Sequence, residues 1–146
     1  MKQYYTSANA FEKNYPYYRA VRQGNHIFVS GTTATGSVPN ADGGNFAIPQ
    51  VLFPGDARQQ AEYAMKEGIK AIRDLGGKGA PDVVRVRMFV SRREYTAEVG
   101  EAFKIIFGQG KDPGVGVAAT MVIAQLVNED MLCEIEMDAI LSNPHL

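Results

Sequence analysis

The sequence predicts an α+β domain in which two helices cover one face of a sheet, and three observations carry that prediction. Two β-rich runs flank a short glycine-containing connection near residue 24, two stretches repeat their apolar residues at three- and four-residue steps, and further β-rich runs lie between and after those stretches. The resulting order is β-β-α-β-α-β-β. Tyr17 to Arg22 and His26 to Thr33 are read as paired strands joined across Gln23-Gly24-Asn25. Ala34 to Gly55 is rich in glycine and proline and shows no period, so it is read as a long loop insertion able to line or cover a pocket.

Asp56 then opens the clearest helix, with Ala57, Ala61, Ala64, Met65, Gly68, Ile69, Ile72 and Leu75 on one face and Gly76-Gly77 ending it. The small residues of that stripe let the helix sit close on a sheet. Val83 to Val90 is a strand, with Val84, Val86, Met88 and Val90 on one side and Val83, Arg85, Arg87 and Phe89 on the other. A second helix begins either at a Ser91-x-x-Glu94 capping box or a few residues later at Thr96. It ends at Gly108 or Gly110 and buries Val99, Ala102, Phe103, Ile106 and Phe107. Gly116 to Gln125 and Leu132 to Leu141 complete the sheet. With both helices on one face, the opposite face needs cover, and a second or third copy of the chain is the simplest source.

A chain of 146 residues with 45% hydrophobic and 21% charged residues has the size and composition of one globular domain, so residues 1–146 are read as a single domain. A formal charge of −1, with no Lys/Arg run and no tryptophan, excludes a nucleic-acid-wrapping character. Cys133 is the one cysteine, so no intrachain disulfide can form, and with only His26 and His145 beside it no Cys/His metal cluster is expected. No stretch approaches the roughly 18 apolar residues of a membrane span and no apolar leader is visible, so the expectation is a cytoplasmic protein that does not enter a membrane. Nucleotide, dinucleotide and nucleophile-elbow motifs are also missing.

The last strand carries the chemistry. Period-2 alternation puts Cys133, Ile135, Met137 and Ala139 on its core side and Glu134, Glu136 and Asp138 together on the other. Arg85 and Arg87 repeat that arrangement with positive sign, and cross-strand pairing is the ordinary fate of such charges. A carboxylate held in a partly desolvated place has its pKa raised, which suits it to give and take a proton near neutral pH. Cys133, on the core side, is read as inert packing.

Pro16-Tyr17 before the first strand, Val29-Ser30-Gly31-Thr32 at the end of the second, G-D-A-x-x-Q from Gly55 leading to Ile72, Arg87-Met88-Phe89-Val90, Ala118-Ala119-Thr120-Met121-Val122 and Met131 to Glu136 occur in one order. In that order the chain resembles the Rid family, the YjgF-type reactive-intermediate deaminases also labelled endoribonuclease L-PSP-like, from about Tyr15 to Leu141. The resemblance implies a chorismate-mutase-like α+β fold with a mixed sheet, and a homotrimer whose sheets form a central barrel with small-molecule pockets at the subunit interfaces. It also implies hydrolysis of imines and enamines to carbonyl compound and ammonia without metal or organic cofactor.

On this sequence the family's proton-handling glutamate falls on Glu134, its pocket aromatic on Tyr17 and its ligand-approaching backbone on Ser30 and Gly31, with Thr120 shaping the pocket. The family's carboxylate-binding arginine falls on Ala118 or Ala119, which cannot hold a carboxylate. Losing such a bidentate contact costs on the order of 1.5–3 kcal/mol or more of binding. Arg19 and Arg87 are the cations that could replace it. The leading expectation is therefore a Rid-like hydrolase of small imines, enamines or related C–N compounds with a non-standard substrate. A non-catalytic small-ligand-binding protein is the rival, and ribonuclease activity is disfavoured by the near-neutral charge.

Overall fold

The computed structural model describes residues 1–38, 40–110 and 112–142; His145 lies outside the described residues. Among the described residues there are eight strands: β1 Lys2–Tyr5, β2 Ala20–Gln23, β3 His26–Thr32, β4 Thr35–Val38, β5 Ile48–Val51, β6 Val83–Val90, β7 Ala118–Ile123 and β8 Cys133–Ile140. The helices are α1 Ala10–Asn14, α2 Ala57–Asp74 and α3 Thr96–Phe107. Six strands form one sheet in the order β1-β2-β3-β8-β6-β7, and β4 and β5 make a separate two-stranded ribbon. Only β6 and β7 run parallel in the large sheet, so it is mixed, as expected.

The helix-sheet core follows from the apolar stripes. Asp56 caps α2 by accepting from the Gln59 amide at 2.9 Å. From there Ala57, Ala61, Ala64, Met65, Ile69 and Ile72 are buried, with Gly68 letting the helix close on Met137 of β8. The buried residues of α3, Val99, Ala102 and Phe107, join the same cluster, with Phe103 and Ile106 packed against it. Cys133, Ile135, Met137 and Ala139 close it from the sheet. β2 and β3 meet at Gln23–His26, leaving a two-residue loop in which Gly24 takes the left-handed φ of +62° that the first position of a II′-type turn demands.

Several boundaries differ from expectation. The first hairpin strand is Ala20–Gln23 rather than Tyr17–Arg22, since Tyr17 is drawn into the lining of the site and Tyr18 stacks on Tyr4. β1 and α1 carry no periodic signal, and β1 is an edge strand specified by its partner β2. The stretch expected to be loop from Ala34 to Gly55 holds the β4–β5 ribbon, in register from Thr35–Val51 to Val38–Ile48. In β6 the ladder slips between Val83 and Arg85, so Val83 is buried and Val84 is exposed, which reverses the faces expected for these two valines. α3 starts at Thr96 after a 3-10 turn at Arg93–Tyr95, so the Ser91 box is not used.

The other sheet face is open. Cross-strand partners lie side by side on it: Glu134 beside Phe89, and Glu136 beside Arg87 beside Thr120. Phe28, Val122 and Ile140 on this face are exposed.

Candidate functional site

β3 departs from regular pairing where it passes the start of β8. Val29 pairs with Met137 and Thr32 with Ile135, so Ser30 and Gly31 together span the one position opposite Glu136. This bulge re-aims the strand. Its second residue is a glycine, and a Cβ there would lie 3.0 Å from the Glu134 carboxyl carbon and nearer still to Oε2, so the carboxylate could not keep its place beside any other residue. The Glu134 carboxylate therefore rests directly on the backbone of β3.

Arg19, at the entry to β2, fixes the bulge from below. It is 2% exposed, and its donors are placed in four directions. Nε donates to Glu12 Oε2 at 2.9 Å, Nη1 to the Gly31 carbonyl at 2.7 Å and to Thr32 Oγ1 at 3.0 Å, and Nη2 to the Tyr17 hydroxyl at 3.0 Å. The guanidinium also stands 5.4 Å from the centre of the Tyr17 ring. Glu12 accepts in turn from the backbone and hydroxyl of Ser7. A buried acid and a buried base thus satisfy each other and the segment that joins α1 to the sheet. Ser30 is part of the same frame, its hydroxyl donating to the Tyr18 carbonyl at 2.8 Å and its amide to the Arg19 carbonyl at 2.9 Å.

These groups border a cavity of about 350 Å³ lined by Asn9, Phe11, Tyr15, Tyr17, Arg19, Gly31, Thr33, Val127, Met131 and Glu134. Its walls are largely aromatic and apolar, and Glu134 is the one carboxylate among the described residues that line it. Burial raises the Glu134 pKa above the ordinary carboxylate range; the nearby Arg19 charge opposes that rise and Glu136 adds to it. A carboxyl held in this way can accept a proton from water and return it. No cluster of His, Cys, Asp and Glu fit to hold a metal occurs among the described residues.

Of the residues singled out in the sequence, the structure brings Tyr17, Arg19, Gly31 and Glu134 together. Ser30, the first residue of the bulge, does not line the cavity. Arg87 is elsewhere, its Nη1 2.9 Å from Glu136 and 3.2 Å from Asp138. That is the cross-strand pairing expected of such charges. Ala118, Ala119 and Thr120 are exposed on the edge strand β7, separated from β8 by β6. Asn9, Phe11, Tyr15, Val127 and Met131 were not foreseen, since they come from the aperiodic N-terminal segment and the turn before β8. Cys133, next to Glu134 in sequence but on the core side, has its thiol pushed up to about 12 by burial.

The sequence model described as Endoribonuclease L-PSP matches residues 7–141. The chain is 30% identical over 122 residues to the RutC family protein PYRAB12510 of Pyrococcus abyssi, covering 83% of each. It is 26% identical over 136 residues to the RutC family protein PH0854 of Pyrococcus horikoshii, covering 93% of this chain and 95% of that one. Among solved structures, Rv2704 of Mycobacterium tuberculosis, described as a member of the YjgF/YER057c/UK114 family, superposes with a TM-score of 0.74 at 29% identity, covering 97% of this chain and 100% of that one. Yeast Mmf1 shares the fold, with a TM-score of 0.73 at 15% identity and the same coverage.

Proposed function

The chain belongs to the endoribonuclease L-PSP family, the YjgF or Rid group, and on that premise we propose that it hydrolyses a small imine, enamine or related C–N compound, releasing ammonia. Water attacks the carbon of the protonated C=N group as its π pair moves to nitrogen, and Glu134 takes one proton from the water, leaving a neutral carbinolamine. Glu134 then passes that proton to the nitrogen, the C–N bond breaks with its electron pair leaving on ammonia, and the hydroxyl proton is lost to solvent as the carbonyl forms, so the enzyme ends as it began. Tyr17, held by Arg19, orients the substrate in the cavity, and the Gly31 backbone keeps the carboxylate in place. The observation that carries this reading is a carboxyl of raised pKa seated on Gly31 and facing an aromatic cavity.

The single domain of residues 1–146 acts in the cytoplasm as a homotrimer, its open sheet faces forming the barrel, with substrate at the subunit interfaces. Exposed Phe28, Val122 and Ile140 on that face favour cover by another copy. No membrane partner is invoked, and no helix among the described residues is long and apolar enough to cross a membrane. Nucleic acid is not proposed as substrate, given the net charge of −1.

The test is ammonia or carbonyl release from a panel of freshly generated imines, with Glu134→Ala as control. Turnover that survives Glu134→Ala unchanged removes the proton-transfer role. A second reading, a small-ligand-binding protein without turnover, is favoured by Ala118 and Ala119 standing where the family's arginine falls. Saturable binding with no release across the panel would establish it.

A further inference from the structure

Resting on the reading of the Glu134 cavity as a site of C=N hydrolysis, we infer that its substrate is an uncharged imine or an iminium with an apolar body and no carboxylate, and that Arg19 is a positioning residue there. Arginine has five N–H donors, and it grips a carboxylate by presenting two parallel ones. In Arg19 the Nε donor goes to Glu12, both Nη1 donors go to Gly31 and Thr32, and one Nη2 donor goes to Tyr17. A single N–H remains, which cannot make a fork. The charge already has a partner as well, because the Glu12 and Arg19 side chains, 4% and 3% exposed, face each other at 2.9 Å. Arg87 is held by Glu136 and Asp138 and does not border the cavity.

A carboxylate entering this cavity would leave water, find no unpaired cation among the described lining residues and lie beside Glu134. An iminium meets the reverse conditions. Glu134 attracts it, and Phe11, Tyr15, Tyr17, Val127 and Met131 line the cavity for an apolar body. The chemistry balances for an iminium: water forms the C–O bond as the C=N π pair moves to nitrogen, one water proton passes through Glu134 to the nitrogen, ammonia leaves with the C–N electron pair, and the remaining hydroxyl proton is lost to solvent as the carbonyl forms.

The experiment uses two imines with the same body, generated in the assay by oxidising phenylalanine or 2-phenylethylamine, and the wild-type protein in its native assembly. The carboxylate-free imine is expected to show a kcat/KM at least about tenfold higher, the cost of burying an unpaired carboxylate. Equal or faster release from the carboxylate-bearing imine overturns the inference. If neither is hydrolysed faster than in buffer, the hydrolase reading fails. The ligand class is then decided by equilibrium binding, with 2-phenylethylammonium bound more tightly than 3-phenylpropanoate supporting the inference and the opposite order overturning it. Arg19→Lys, which keeps a charge opposite Glu12 but loses the frame, is expected to lower turnover of both imines by the same factor. A loss confined to the carboxylate-bearing one would mean that Arg19 binds substrate.

Discussion

Replacing Gly31 by alanine tests whether the position of the Glu134 carboxylate matters. The new Cβ would stand 3.0 Å from Cδ of Glu134, where carbon atoms at rest keep about 3.5–4.0 Å, and the overlap with Oε2 is greater. The carboxyl must therefore retreat by on the order of 1 Å, and a misplacement of that size costs about 100-fold in rate, or about 2.7 kcal/mol of transition-state stabilisation. The fold should hardly notice, since the atoms in the way are the end of a flexible side chain facing a cavity. Two readouts apply. Turnover should fall about 100-fold in Gly31→Ala but little further when the change is added to Glu134→Gln, because both remove one function. In a 13C titration of the side-chain carboxyls, Glu134 should move back down toward the ordinary range, because burial is the main cause of its raised pKa. A variant that keeps wild-type turnover and the raised pKa would refute the argument that the bulge seats the carboxylate.

Other perturbations give distinct outcomes. Because the folded-state pKa of Glu134 is raised, the native protein holds that proton more tightly than the unfolded chain, and stability contributed by this group falls as pH rises from the ordinary carboxylate range through the raised value. Urea denaturation across that range should show the decline in wild type and a flatter profile in Glu134→Gln. Gln60 is fully buried, and its amide donates to the carbonyls of Phe53 and Asp130 while accepting from the Leu132 amide. Gln60→Leu should therefore cost about 2–4 kcal/mol in chemical denaturation, with pocket binding weakened through the turn that carries Val127 and Met131. Arg87→Ala should cost less than about 1 kcal/mol, since Arg87 and Glu136 are 37% and 38% exposed, and the loss should shrink in high salt. Cys133, with its thiol pushed up to about 12 and fully buried, should react with thiol reagents only as fast as the core opens, so a rapid native-state reaction would contradict its placement.

What the sequence discloses here is decided by how local its physics is. α2 and β6 are legible because their periodic apolar residues face a core whatever the partner, and Glu134 is legible because alternation along β8 leaves it no other side. β1 and the β4–β5 ribbon are not, since neither KQYY nor TGSV alternates and each becomes a strand only by pairing with another segment. The faces of Val83 and Val84 fail for a related reason, a ladder slip that residue types do not announce. At the site, the resemblance located Tyr17 and Gly31. The frame around Arg19 depends on a buried Glu12 from an aperiodic segment, which is recognisable only once the chain brings the two together.

The place of β8 between β3 and β6 has a consequence for how the protein is made. The ribosome delivers β3 and β6 long before the strand that must lie between them, and the Val29–Met137 pairing spans most of the chain. Until then both strands expose hydrogen-bonding edges, and the growing chain can neither close its main core nor be expected to fold quickly. Synthesis that stops before β8 yields a product with two open edges and no Glu134, fit for aggregation or proteolysis. Closure of the sheet and the carboxylate of the proposed site therefore depend on the same eight residues, Cys133–Ile140, so a chain truncated before β8 lacks both.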